Sequence, residues 1–197
     1  MKSFKVKWTG IRPLVMHCGL LADPLNPYTI KIKAITKKRA KAMGENQTDH
    51  AAVARLEWEG GLYWDSEAGP HMPAENIHRC IQKGGAKDKA GKLIAAAVII
   101  ADDIIPVKYD GPRDMDKLYA DPRFTLRMCV VINKMRVVRI RPMFPTGWNI
   151  TFTVEYDEDN ITEETILNAM INAGALCGLG DNRPRFGRFL VEKLNGK

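Results

Sequence analysis

Alternation of apolar and polar residues is clearest in the C-terminal half of the chain. Between Trp148 and Tyr156 every second residue is apolar, which predicts a strand with one buried face. The inward residues are Ile150, Phe152, Val154 and Tyr156. Thr162 then precedes two glutamates, an arrangement that favours the start of a helix.

The helix after Thr162 has an apolar stripe at three- and four-residue spacing. The stripe consists of Ile166, Met170, Ala173 and Cys177. We predict that Gly178 ends this helix and that residues 188–194 form the last strand. Upstream, a strand over residues 125–132 has Leu126, Met128, Val130 and Ile132 on one face. It pairs with residues 135–143 through a tight turn at Asn133 and Lys134.

The N-terminal half has a less regular pattern, and its elements are predicted from shorter signals. Apolar residues alternate with lysines after Phe4, which predicts a long strand over residues 4–16 with a bulge at Thr9 and Gly10. The remaining predictions are a strand over 29–34, helices over 36–43 and 48–59, a strand over 62–64, helices over 72–81 and 89–97, and a strand or extended link over 98–107.

The order strand, helix, hairpin strands, helix, strand is that of an α+β, ferredoxin-like (RRM-like) sandwich. Such a domain has a four-stranded sheet with helices on one face, which leaves the other face open to a ligand. We therefore expect a single domain over residues 1–197, with a basic lobe inserted at about residues 18–70. The longest apolar run, residues 93–101, is far shorter than the roughly 20 residues that span a bilayer. We expect a cytoplasmic protein without a membrane partner.

Charge points toward a polyanionic partner. The 197 residues include 30 Lys and Arg against 23 Asp and Glu, a formal net charge of +7. An excess of this kind attracts nucleic acid, although it also serves solubility. One basic cluster contains Lys31, Lys33, Lys37, Lys38, Arg39 and Lys41; the other contains Arg183, Arg185 and Arg188. Two clusters far apart in sequence can line one groove.

Cysteines, acids and histidines provide no enzyme or metal motif. Cys18, Cys80, Cys129 and Cys177 lie too far apart for a zinc knuckle, so we expect reduced thiols, with Cys129 and Cys177 in the core. Two acidic pairs, Asp102 with Asp103 and Asp114 with Asp116, are candidates for magnesium but are more typical of solvated turns. We therefore predict no metal site and no cofactor.

Histidine is the natural candidate for a general acid or base, because its ordinary pKa lies near neutrality. None of the four histidines has an obvious partner nearby in the sequence. Catalytic residues therefore stay unassigned, with His71 and His78 as the weak candidates.

The segment from Gly178 to Phe189 is the most informative in the chain. Its three glycines allow positive φ and close approach of a ligand, and exposed amides in such a turn bind phosphate oxygens. The arginines add charge-assisted contacts, and Phe186 or Phe189 is available either to stack on a base or to pack in the core. The predicted RNA-binding residues of this segment are Gly178, Gly180, Asn182, Arg183, Arg185, Gly187 and Arg188. Four residues of the other basic cluster are also predicted to bind RNA: Lys37, Lys38, Arg39 and Lys41.

A helix, a Gly-Leu-Gly turn at residues 178–180, a short basic stretch, Gly187 and a last strand together resemble the RAMP superfamily of CRISPR-associated RNA-binding proteins. Pro70-His71-Met72-Pro73 is similar to the proline-rich entry to the first helix in that family. The resemblance covers about the last 60 residues well and the rest in element order. The chain differs at Arg188-Phe189, where the family often has a small residue.

The resemblance implies a non-catalytic backbone subunit that binds single-stranded, crRNA-like guide RNA in an antiviral ribonucleoprotein. It also implies self-association along the RNA and contact with other subunits of a CRISPR-type complex. Two alternatives stay open. One is a metal-independent endoribonuclease with His71 or His78 as base, and the other is a virus- or plasmid-encoded mimic that interacts with such a complex.

Overall fold

A computed structural model describes residues 1–41, 47–132 and 134–194 and has an α+β architecture with several antiparallel sheets. The strands are β1 Lys2–Gly10, β2 Leu14–Val15, β3 Trp64–Asp65, β4 Gly69–Pro73, β5 Val98–Ile100, β6 Ile104–Pro106, β7 Thr125–Ile132, β8 Met135–Phe144, β9 Asn149–Tyr156 and β10 Phe189–Leu194. The α-helices are α1 Pro27–Lys41, α2 Gln47–Gly61, α3 Ala74–Gly85, α4 Gly91–Ala97, α5 Met115–Ala120 and α6 Glu163–Asn172.

The chain divides into two compact units. The first contains Met1–Val15, Trp64–Gly111 and the residues from Phe144 onward, and the second contains Met16–Tyr63 and Pro112–Met143. Residues 16–63 of the second unit overlap the predicted lobe at 18–70, whose insertion into a RAMP-like domain stays a prediction. Among the helices in the described residues, none is both long enough and apolar enough to cross a bilayer.

A four-stranded antiparallel sheet with the order β10-β1-β9-β5 forms the centre of the first unit. Trp8 lies between Val191 on one neighbouring strand and Ile150 on the other. One face is fully buried at Val6, Trp8, Ile150, Phe152 and Val154, as the alternation in β9 predicts. Each such side chain stabilises the fold by roughly 1.5–3 kcal/mol relative to an exposed one.

Helices α3 and α6 contact each other and reach opposite edges of this sheet, at β5 and β10. Thr162 caps α6 as predicted, since its side-chain oxygen accepts a hydrogen bond from the Thr165 N–H at 3.2 Å. The two helices approach so closely that a Cβ on Gly84 would lie 2.0 Å from the carbonyl oxygen of Ala169. The opposite face of the sheet carries Lys5, Lys7, Thr151 and Thr153, which are exposed or half-buried.

One prediction about the strands of this sheet is wrong, namely that the hairpin strands belong to it. The hairpin β7–β8 forms at the predicted residues, but it lies in the second unit, and β5 provides the strand beside β9. β5 directly follows α4 and has only three residues. A segment of three residues is too short for alternation to indicate a strand. Asn133, part of the predicted turn, lies outside the described residues.

The second unit is built around Trp58 of α2. Its ring is fully buried, and its Nε1–H donates to the carbonyl oxygen of Phe124 at 2.9 Å. Glu57 pairs with Arg139 of β8 at 2.6 Å, which joins the helix to the hairpin. Arg55 pairs with Asp116 at 2.7 Å. These contacts explain why residues distant in sequence form one unit.

Three N-terminal predictions are wrong in detail. Residues 29–34 are helical instead of extended, because the Asn26 carboxamide oxygen accepts a hydrogen bond from the Tyr28 N–H at 3.0 Å and starts α1. The long strand over 4–16 divides into β1 and β2, and the segment over 98–107 divides into β5 and β6. The helix predicted over 36–43 already begins at Pro27, and its residues 42 and 43 lie outside the described residues. The helices predicted over 48–59, 72–81 and 89–97 begin and end within four residues of their predicted bounds.

All four cysteines lie in the described residues and are free thiols. Cys18 and Cys80 are buried, Cys177 is half-buried, and Cys129 is exposed. The prediction that Cys129 lies in the core is therefore wrong. Its neighbours Met128 and Val130 on β7 are half-buried, and alternation along a strand places Cys129 on the other face.

Candidate nucleic-acid interface

The glycine-rich loop, residues 178–188, connects the end of α6 to β10. After α6 the chain continues as a π-helical turn at Ala173–Cys177, and Gly178 ends it with φ +77° and an N–H that donates to the Ala173 carbonyl at 2.8 Å. Gly180 and Gly187 also have positive φ, at +82° and +73°. The loop thus changes direction at the glycines that the sequence singled out.

Gly187 closes the loop onto itself. Its carbonyl accepts a hydrogen bond from the Leu179 N–H at 2.8 Å, and a Cβ at this position would lie 1.7 Å from the Leu179 carbonyl oxygen. The loop is also hydrogen-bonded to Pro13, just before β2, and to Val15 in β2. The Gly187 N–H donates to the carbonyl oxygen of Pro13 at 2.8 Å, and the Asp181 N–H donates to the carbonyl oxygen of Val15 at 2.7 Å.

Backbone N–H groups along the loop therefore already donate within the protein. They belong to Gly178, Leu179, Asp181, Asn182, Phe186 and Gly187. This differs from the expectation of an amide cradle for phosphate, because these donors hold the loop in shape. The exposed groups that the loop offers to a ligand are therefore mainly side chains.

The side chains of the loop divide into anchoring and exposed groups. Arg183 and Arg185 are exposed, whereas Arg188 is half-buried and its Nε–H donates to the Pro184 carbonyl at 2.9 Å. Phe186 is half-buried, with the Arg185 guanidinium 5.5 Å from its ring centre. Phe189 is buried in the core, so only Phe186 of the two is placed to meet a base.

An open groove of about 510 Å³ lies beside the loop. It is lined by Lys83, Leu176, Cys177, Asp181, Asn182, Arg183 and Pro184, and we call it the loop groove. Lys83 is not among the site residues predicted from the sequence, because there it is an ordinary lysine in the last turn of a helix. The contact between α3 and the turn after α6 places it near the loop: Cys80, one turn earlier, donates from its thiol to the Gly178 carbonyl at 3.4 Å.

The other predicted basic cluster lies on α1, in the second unit. Lys31, Lys33 and Lys37 are exposed there, while the side chains of Lys38, Arg39 and Lys41 lie outside the described part of the structure. The two clusters therefore belong to different units, and a groove shared by both stays a prediction.

The candidate catalytic histidines lie on separate elements of the first unit. His71 is on β4, with Nδ1 3.4 Å from the Gly69 carbonyl oxygen, and His78 is on α3, with Nε2 3.4 Å from the Ile94 carbonyl oxygen. The acidic pairs have structural partners: Asp102 accepts from Thr153 N–H, Asp114 caps α5, and Asp116 pairs with Arg55. Across residues 1–41, 47–132 and 134–194, no group of three or more His, Cys, Asp or Glu side chains is arranged to hold a metal ion.

Comparison with known proteins provides no independent assignment. No protein-family model matches the chain, and no curated protein matches it.

Proposed function

We propose that this chain is a RAMP-like protein that binds single-stranded RNA as a non-catalytic, backbone-type subunit of a CRISPR-type ribonucleoprotein. The observation that supports this most is the glycine-rich loop between the last helix and the last strand of the four-stranded sheet. That loop presents Arg183 and Arg185 to solvent beside a groove that also contains Lys83.

The order of elements supports a ferredoxin-like fold for the first unit. Its sheet has the order β10-β1-β9-β5; α3 comes between β1 and β5 along the chain, and α6 between β9 and β10. This is the order of a split βαβ sandwich, in which the fourth strand pairs with the first and the third strand separates the first from the second. The fold is proposed together with the function.

The chemistry of the loop suits a single strand better than a duplex. Exposed guanidinium groups form bidentate, charge-assisted hydrogen bonds to phosphate, and a half-buried aromatic ring such as Phe186 offers a base a surface to stack on. Unpaired bases can reach such a ring, whereas bases stacked within an A-form helix cannot. The loop groove has a volume of about 510 Å³ and is open to solvent.

The proposal includes partners and a compartment. Other subunits of a CRISPR-type complex and further copies of this chain along the RNA are the expected protein partners, in the cytoplasm. No cofactor and no catalytic residue is assigned. The endoribonuclease and mimic alternatives differ from the proposal in measurable ways, through cleavage of RNA and through complex formation without RNA binding.

The test is the affinity for a fluorescein-labelled single-stranded RNA of about 30 nucleotides, measured by anisotropy at several salt concentrations. Replacing Arg183, Arg185 and Arg188 by Ala should weaken binding and lower the slope of log affinity against log salt by about 0.7 for each lost phosphate contact. Because Arg188 also holds the Pro184 carbonyl, the Arg183→Ala, Arg185→Ala double variant separates charge from loop geometry.

The matched control is the Lys92→Ala, Lys108→Ala double variant, which removes two exposed charges that belong neither to the loop nor to the lining of the loop groove. Its slope should stay closer to that of the wild type. An unchanged slope in the triple arginine variant would reject the loop as a phosphate-binding element. Failure of the wild-type protein to bind any single-stranded RNA would reject the proposed function and favour the mimic.

A further inference from the structure

Two cysteines lie at the contact between α3 and the π-helical turn that leads into the glycine-rich loop. Cys80 belongs to α3 and is fully buried, whereas Cys177 is the last residue of the turn and is half-buried. Both residues belong to the first unit. The proposed RNA-binding function uses neither thiol.

The backbones of α3 and of the segment that follows α6 approach each other closely at Gly84. A Cβ added at Gly84 would lie 2.0 Å from the carbonyl oxygen of Ala169 and 2.8 Å from the Cβ of Ala173. A disulfide needs Cα atoms about 4.4–6.8 Å apart, which requires a contact between backbones of this closeness.

The two cysteines lie in register, each one turn away from this close approach. Cys80 precedes Gly84 by four residues, so the two share one face of α3. Cys177 follows Ala173 by four residues in a turn whose hydrogen bond spans five residues, which brings Cys177 back to the side of Ala173. The Cys80 thiol donates to the carbonyl oxygen of Gly178, the residue after Cys177, at 3.4 Å. The segments therefore run antiparallel with Cys80 beside the end of the turn.

The two thiols differ in their access to solvent. Burial, and after it the charge of Cys177, raises the pKa of Cys80 to about 12, so that Cys80 keeps its proton at neutral pH. Cys177 is partly exposed. Because oxidation of a thiol follows its exposure, Cys177 is the one of the two that a dissolved oxidant reaches first.

We propose that Cys177 and Cys80 form a peroxide-responsive dithiol site, in which Cys177 is oxidised and Cys80 then joins it in a disulfide. In the first step an S–O bond forms on Cys177, the O–O bond of hydrogen peroxide breaks, and water leaves. In the second step the Cys80 sulfur bonds to the Cys177 sulfur, the S–O bond breaks, and the hydroxide leaves as water with the Cys80 proton. The two thiols have lost two hydrogen atoms, and the peroxide has been reduced to water.

The disulfide would tie α3 covalently to the start of the glycine-rich loop. It would also remove the thiol donor from the Gly178 carbonyl. Disulfides of cytoplasmic proteins are usually transient and redox-sensing, so we expect this bond to be reversible by dithiothreitol. The proposal goes beyond RNA binding and does not depend on it.

The experiment treats the folded, reduced chain with a small excess of hydrogen peroxide at about pH 7.5, blocks the remaining thiols with iodoacetamide and maps the peptides by mass spectrometry. We expect the loss of two hydrogen atoms, a fall from four alkylated thiols to two, and a linked peptide that contains Cys80 and Cys177. Dithiothreitol should restore all four thiols. Cys177→Ser and Cys80→Ala should each abolish the linked peptide.

The matched control is Cys129→Ser, which removes an exposed thiol of the second unit. This variant should form the disulfide at the rate of the wild type. A second control oxidises the chain after unfolding in urea, where we expect a mixture of cysteine pairs. The same mixture from the folded chain, or a sulfinic acid at Cys177 with Cys80 still a free thiol, would overturn the proposal. A chain that forms the disulfide but binds no RNA would support the proposal and reject only the proposed function.

Discussion

The ring of Phe189 stacks on the indole of Trp8, with centroids 3.9 Å apart and 13° between the planes. Trp148 meets the same phenyl ring edge-on at 6.4 Å. Phe189 is the first residue of β10 and directly follows the glycine-rich loop. The C-terminal end of the loop, which carries Arg183 and Arg185, is thus anchored in the core of the first unit.

Phe189→Ala should lower the free energy of unfolding by about 3–5 kcal/mol, because it opens a cavity beside two tryptophans in a fully packed core. Urea denaturation followed by tryptophan fluorescence measures this loss. Phe186→Ala is the matched control: its ring is half-buried, so its loss of stability should be smaller. Equal losses in the two variants would mean that Phe189 does not anchor the loop.

Gly187→Ala should unfold or distort the loop, because the new Cβ would lie 1.7 Å from a backbone carbonyl that cannot move without breaking the loop. We expect a loss of stability above about 3 kcal/mol, or, if the fold survives, at least tenfold weaker RNA binding. Gly69→Ala controls for backbone strain, since Gly69 has a similar φ of +71° but nothing within 4 Å of the added Cβ. That variant should lose only about 1 kcal/mol and keep its RNA affinity.

The sequence predicts elements best where one face of the element is buried. In β9, Ile150, Phe152 and Val154 are fully buried and alternate with threonines, so the strand and its inward face were both predictable. In α1 the start depends on the Asn26 side chain, and its β-branched residues favour a strand over the same positions. A local hydrogen bond outweighed residue propensity there.

The site was predictable only as far as one continuous segment contains it. Gly178, Gly180 and Gly187 have the positive φ that their spacing suggested. Lys83 reaches the loop groove through packing between helices, and no local pattern in the sequence indicates that contact. Two of the loop N–H groups, those of Gly187 and Asp181, donate to the carbonyl oxygens of Pro13 and Val15, which lie more than 160 residues away in the sequence.

Alkaline pH should destabilise the first unit through Cys80. Burial raises the pKa of this thiol to about 12, whereas the pKa of a thiol in an unfolded chain is about 8.5. The folded state therefore holds a proton that the unfolded state releases between these values, and stability falls as pH rises through that range. The stability difference between wild type and Cys80→Ala should shrink by about 1 kcal/mol per pH unit above 9. Parallel curves from pH 8 to pH 10.5 in urea denaturation would contradict this.

Labelled single-stranded RNA should remain intact when incubated with the protein, with or without magnesium. A general base must come within about 3 Å of the proton it removes, and neither His71 nor His78 lines the loop groove. Denaturing gels over several hours provide the measurement. Specific products that disappear in His71→Ala or His78→Ala, but not in His50→Ala, would identify the endoribonuclease alternative.

Assembly along RNA is the remaining prediction of the backbone-subunit proposal. A subunit that stacks side by side with its copies covers a fixed number of nucleotides, so the mass measured by light scattering should grow in steps as the RNA is lengthened from about 10 to 60 nucleotides.

The α1 lysines are the best candidates for contact with a neighbouring copy's RNA, because Lys33 and Lys37 are exposed and lie four residues apart on one side of the helix. Lys33→Glu with Lys37→Glu should reduce the growth in mass on long RNA more than the affinity for one 10-mer. Lys92→Glu with Lys108→Glu should affect both measurements equally, since those lysines lie in the first unit. One protein per RNA at every length would show that the chain binds alone, and equal effects of the two charge reversals would show that α1 merely faces solvent.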